Sequence, residues 1–123
     1  VTDEILFTRE SADSMLPELT TRLTALRDAY AFIAGHQAKV SSLATGNGGD
    51  HSAEKWLRAT RTTAEHLKWL SDAGILLRDI EQGLIDFPSM REGREVFLCW
   101  RLGEDSIAWW HDTESGFSSR QPL

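Results

Sequence analysis

A single cysteine, Cys99, is all the thiol chemistry in this chain, so no internal disulfide can form and a disulfide-stapled secreted scaffold is excluded. Lysine is almost as scarce: three residues, Lys39, Lys55 and Lys68, against ten arginines. Acids outnumber bases, giving a formal net charge of −6, and no basic run exceeds a pair. Nucleic-acid binders neutralise phosphates with a basic face, so nucleic acid is not an expected partner. An anionic membrane surface is disfavoured for the same reason. No stretch approaches the roughly 18 apolar residues of a spanning helix. The opening Val-Thr-Asp-Glu lacks the basic and apolar regions of a signal peptide, and with the reduced cysteine this sets a cytoplasmic expectation.

What remains is ordinary globular composition, 41% hydrophobic and 26% charged over 123 residues, enough for one domain with one core. Thr8 can cap a short helix from about residue 9, with Glu10 in the first turn where the helix dipole favours an anion. Pro17 forces a fresh start near Leu16. From there Leu16, Leu19, Leu23, Leu26, Tyr30, Ile33, Gln37, Val40 and Ala44 recur three and four residues apart, a heptad seam interrupted only by Gln37. Such a helix is about 40 Å long at 1.5 Å per residue. Gly46-Asn47-Gly48-Gly49-Asp50 reads as a turn. Ser52 can cap a second helix, with Ala53, Trp56, Thr60, Thr63, Leu67 and Leu70 on its apolar stripe, widened by Leu57, Ala64 and Trp69. Gly74 suits its end.

Beyond Gly74 the period changes. Ile75-Leu76-Leu77 is a short apolar run, Leu84 to Phe87 a second that Pro88 is expected to stop, and Arg91-Glu92-Gly93-Arg94 a turn. Val96 to Trp100 and Ile107 to His111 read as strands joined through Leu102 to Ser106, and the tail from Asp112 shows no period. If the loop is centred on Glu104, Cys99 faces Trp109 and lies diagonal to His111. The expectation is a single α+β domain over 1–123: a long antiparallel helical hairpin over about 8–74, then a small antiparallel β meander over about 75–123.

Certain of these residues carry a family likeness. Gly83-Leu84-Ile85-Asp86-Phe87-Pro88, Gly93-Arg94-Glu95-Val96, Cys99-Trp100-Arg101-Leu102-Gly103, Trp110-His111, Gly116-Phe117 and Arg120-Gln121-Pro122-Leu123 resemble an uncharacterised bacterial family, a domain of unknown function. Phe7-Thr8 and Leu16-Pro17-Glu18-Leu19 fit it too. The resemblance implies a bacterial, cytoplasmic protein and brings no activity with it.

The residues offer few chemical constellations. His-x-x-x-His, Cys-x-x-Cys and phosphate-binding glycine loops are absent, so no catalytic group, metal or cofactor is expected. The histidine at the end of the last strand, His111, sits where functional residues often do. Asp86, Arg94, Arg101 and His111 form the candidate ligand-binding set, with Arg120 and the tryptophans nearby, able either to clamp a small anion or to finish a sheet by ion pairs. Cys99, inside an apolar run, reads as a buried thiol. The leading functional expectation is a non-enzymatic interaction or assembly protein, a homodimer through its helices, because a long apolar seam needs a cover. The alternative is a small-ligand or anion-binding protein, conceivably an enzyme, with its site in the C-terminal unit.

Overall fold

The computed structural model describes residues 5–42 and 52–123, with the side chains of 38–42 left aside. The Gly46–Asp50 turn and Ala44 of the seam lie outside the described residues, as does the side chain of Val40. Helices come first and a five-stranded sheet follows, so the chain is α+β.

The helical region is not one long hairpin but three helices, α1 (Arg9–Ser14), α2 (Leu16–Ser42) and α3 (Ser52–Ala73), with the short first helix and the fresh start at Leu16 falling where the sequence sets them. The break follows from local chemistry. Thr8 and Ser11 close a reciprocal capping box, the Thr8 hydroxyl accepting from the Ser11 N–H at 3.0 Å and the Ser11 hydroxyl from the Thr8 N–H at 2.9 Å. Met15 then ends α1, and Pro17 stands at the second residue of α2, where its missing N–H is not needed. Where α2 and α3 touch, the Arg22 guanidinium lies 4.2 Å from the Trp69 ring, and the His36 and Trp56 rings are 6.4 Å apart. The face α3 presents differs from the expected stripe. Ala59 and Leu70 are buried on it, whereas Ala53, Leu57, Ala64 and Leu67 are exposed. Of the expected stripe Leu70 is buried and Trp56, Thr60, Thr63 and Trp69 are half-buried, and Ala59, which was not on it, is buried as well.

At the end of α3 the Ile75 N–H bonds the Leu70 carbonyl at 3.0 Å, a closure that turns Gly74 to φ +78°. A Cβ at Gly74 would come within 2.9 Å of the Ile5 Cβ, so glycine is required twice over.

The sheet is a meander, β1 (Leu76–Asp79), β2 (Leu84–Arg91), β3 (Arg94–Arg101), β4 (Trp109–Asp112) and β5 (Gln121–Pro122), each antiparallel to the next. Glu92 and Gly93, both at positive φ, make the two-residue turn between β2 and β3. Two expectations need correction. Pro88 does not stop β2. Its carbonyl accepts from the Phe7 N–H at 2.7 Å, on the side away from β3, so its own nitrogen also points away from that ladder and no β2–β3 bond is lost. The tail is not free of structure either: a 3-10 turn at 117–119 leads into β5, whose Gln121 and Pro122 pair with Trp110 and Trp109.

The main core lies between the helices and one sheet face. Leu16, Leu19, Leu23, Leu26 and Leu70 meet Ile85, Phe87, Val96, Leu98, Trp100 and Trp110. Alternation along the strands sends Asp86, Phe97, Cys99 and His111 to the other face.

Candidate functional site

That far face is where the chemistry collects. Asp86 on β2 stands directly opposite Cys99 on β3, and Phe97 stands opposite His111 on β4, so the three polar side chains occupy three adjacent strands. The symmetric loop about Glu104 sets this register, with Cys99 facing Trp109. All three are almost wholly buried: Asp86 1%, Cys99 1% and His111 2% exposed. Burial on the face away from the helices needs a second cover. Arg78 spans part of it, its guanidinium 5.1 Å from the Phe97 ring. Arg120 spans another part, donating to the Cys99 carbonyl at 3.1 Å and stacking on Trp109 and Phe117 at 5.2 and 4.5 Å.

The hydrogen bonds constrain the protons. His111 Nδ1 lies 2.8 Å from the Asp112 carbonyl oxygen, which can only accept, so Nδ1 carries a hydrogen. His111 Nε2 then faces both oxygens of Asp86, at 3.0 and 3.1 Å. A bare imidazole nitrogen and a bare carboxylate would repel there, so a hydrogen or a cation stands between them. Arg78 Nε holds the second carboxylate oxygen at 2.8 Å from its half-exposed position. Among the described residues, Asp86, Cys99 and His111 are the group whose donor atoms could hold a metal ion, all lying within 4.8 Å of one another.

Burial pushes the Cys99 thiol up to about 12, and the Asp86 carboxylate beside it adds to the rise while Arg120 offsets part of it. Cys99 therefore stays a neutral thiol at neutral pH. In the native protein it should be alkylated by iodoacetamide far more slowly than in denaturant, at a rate set by opening of the sheet; equal rates would contradict its burial. The unfolded thiol ionises first, so whatever stability this group lends is complete below about pH 8.5 and declines as pH rises from there.

The four residues singled out from the sequence do not converge. Asp86 and His111 meet. Arg94 lies on the opposite sheet face, paired with Asp112 at 3.0 Å and 5.9 Å from the Trp110 ring. Arg101 shares the far face, but its guanidinium rests over Phe117 at 5.3 Å. Sequence reasoning missed Arg78, whose place beside Asp86 depends on the β1–β2 pairing of Leu76 with Asp86. It placed Cys99 near His111 but read it as a buried thiol and did not bring Asp86 beside it. The signal in reach was Asp86 itself, an acid inside the apolar run Leu84-Ile85-Asp86-Phe87, which needs a buried partner.

Beside this cluster Arg120 forms a two-pronged pair with Glu104 at 2.8 and 2.6 Å, and the Arg101 N–H adds a bond to the same carboxylate at 2.8 Å. Burial alone would raise the Glu104 pKa, but these hydrogen bonds and the two arginine charges outweigh it and hold the carboxyl below its ordinary range. A lowered folded value means the pair stabilises the protein above the ordinary carboxylate range and loses its effect as pH falls through that lowered value. Glu104→Gln should cost about 1–2 kcal/mol at pH 7, with the gap to wild type closing in acid. A gap unchanged down to pH of about 3 would show that the charge plays no part.

Fold and far-face cluster together define a small α+β protein with a five-stranded meander whose second face buries an Asp–Cys–His group under two arginines. The chain belongs to a family described as uncharacterized conserved protein, DUF2203, whose family model matches residues 5–123. No curated protein and no solved structure matches it.

Proposed function

We propose that this is a non-enzymatic interaction protein of the bacterial cytoplasm that self-associates through its helices, two α2–α3 pairs joining as a four-helix bundle. The observation that carries the reading is where the heptad seam loses its cover. Leu16, Leu19, Leu23 and Leu26 are buried in the core shared with the sheet, and among the described residues that core includes no α2 residue beyond Leu26. The same seam continues with Tyr30 at 39% exposure, and Phe32 beside it stands at 37%. On α3, Leu57 and Leu67 are 46% and 38% exposed, on a stripe with Ala53, Thr60 and Ala64 that again runs four and three residues apart. A second copy offering the same surface would cover these side chains in coiled-coil fashion. No described helix is long and apolar enough to cross a membrane, so a bilayer-spanning role for this surface has no support.

Sedimentation equilibrium tests it. The wild type should run at twice the chain mass at micromolar concentration. Tyr30→Glu with Leu57→Glu should run as a monomer with unchanged circular dichroism, since exposed substitutions cost within about 0.5 kcal/mol of fold stability. A wild type that stays monomeric at high concentration, or a double variant that stays dimeric, would sink the proposal.

A further inference from the structure

We propose that Asp86, Cys99 and His111 form a mononuclear site for a divalent, thiol-seeking cation of the zinc class, which the chain binds on the far face of its sheet.

Three observations carry this independently of the helices. The donor types are a carboxylate oxygen, a thiol sulfur and an imidazole nitrogen, a mixed set that suits borderline-soft divalent ions rather than calcium or magnesium. The donors come from three neighbouring strands in fixed register and lie within 4.8 Å of one another. Ligands around tetrahedral zinc are about 3.3–3.6 Å apart, given bonds of about 2.0–2.3 Å. The His111–Asp86 separation of 3.0 Å is already near that spacing, so the sulfur has the larger adjustment to make.

The orientation of His111 is the second observation. Its Nδ1 hydrogen is committed to the Asp112 carbonyl, so Nε2 is the ring nitrogen turned into the cluster, where a metal can take the place of the hydrogen between it and Asp86. Metal-bound histidines are held in this way, the outer nitrogen donating to a backbone carbonyl or carboxylate. Arg78 anchors one oxygen of Asp86 from outside the cluster while both oxygens face His111 Nε2, so the carboxylate is held in place as the imidazole is.

Charge balance is the third. Without metal, the hydrogen between Nε2 and Asp86 and the thiol hydrogen of Cys99 occupy the cluster. One dipositive ion takes the place of both. The two protons pass to solvent, the thiol becomes a thiolate ligand, and the net charge inside the buried site is unchanged. That exchange avoids the main obstacle to placing a cation in a dry interior, an uncompensated charge. Three protein ligands leave a fourth position for water.

Cobalt(II) is the probe, because it reports its ligands by colour. The reduced full-length chain is titrated with Co2+, following the near-ultraviolet thiolate-to-cobalt band and the visible bands of tetrahedral cobalt. Both should rise together and saturate at an equimolar amount, and added Zn2+ should bleach them. Cys99 is the chain's only cysteine, so a thiolate band can come from no other residue. Cys99→Ser should lose the thiolate band, and His111→Gln should lose saturable binding. If either variant is unfolded by circular dichroism, the wild-type titration still decides. No thiolate band in the wild type, or visible bands that saturate without one, would overturn the proposal and leave the cluster as a proton-bridged Asp–His pair.

Discussion

Asp86→Ala should destabilise the protein by about 3–5 kcal/mol, the largest effect expected of a single polar substitution among the described residues. Asp86 is 1% exposed and is held from two directions, accepting from Arg78 Nε at 2.8 Å and meeting His111 Nε2 at 3.0 Å. Arg78 is half-exposed and can turn to water when its partner goes. His111 cannot. At 2% exposure it is held by its bond to the Asp112 carbonyl, and its second nitrogen would face a cavity with no acceptor. Removing one member of a buried polar pair therefore costs the desolvation of the survivor as well as the lost contact. Urea unfolding with an unchanged slope measures this directly. A loss under about 1 kcal/mol would mean that His111 finds water or another partner, and that the far face is not dry.

Phe87→Ala should cost a similar amount, about 3–5 kcal/mol, by a different route. Phe87 is fully buried at the centre of β2, on the face toward the helices. Its ring meets Phe7 edge-on, centroids 5.1 Å apart at 73°. Phe7 in turn ties the chain entry to the sheet through its N–H to the Pro88 carbonyl and its bridge to Ser89. Truncation leaves a cavity the size of a ring and removes the aromatic pair, worth a further ~0.5–1.5 kcal/mol. Hydrogen exchange at the Phe7 amide should rise in step with global unfolding. A variant that loses stability while Phe7 stays protected would show that the entry segment is held by its backbone bonds alone.

Much of this fold was legible because local chemistry and global structure agree. Thr8 and Pro17 mark helix starts whatever the tertiary context, and Glu92-Gly93 allows little but a tight turn. The loop around Glu104 predicts the β3–β4 register by simple symmetry. What escaped the sequence depended on neighbours. Pro88 is harmless in β2 only because β1 has already ended on that side and Phe7 takes the free carbonyl. β5 is two residues long, below the length at which a pattern exists. The run Val96 to Trp100 shows no alternation because both sheet faces are buried, one by the helices and the other by arginines and the C-terminal turn. For the same reason the pairing of Asp86 with His111 was within reach, whereas Arg78 was not. Alternation also parts Arg94 from Arg101, since residues seven apart on one strand fall on opposite faces. On α3, Ala59 and Leu70 are buried while Leu57 and Leu67 stand outside, a placement that periodicity alone cannot register.

The far-face cluster is the chemical centre of the molecule, and the ring nitrogens of His111 report on it most directly. A long-range nitrogen–proton correlation spectrum of labelled protein, recorded near pH 7 with chelator present, assigns the hydrogen on each nitrogen. The geometry predicts Nδ1 protonated and in slow exchange with solvent, bonded to the Asp112 carbonyl, with the Nε2 resonance moving when Asp86 is changed to asparagine. A His111 ring with bare Nδ1, or one whose Nε2 signal ignores position 86, would contradict the buried Asp–His arrangement on which the site rests.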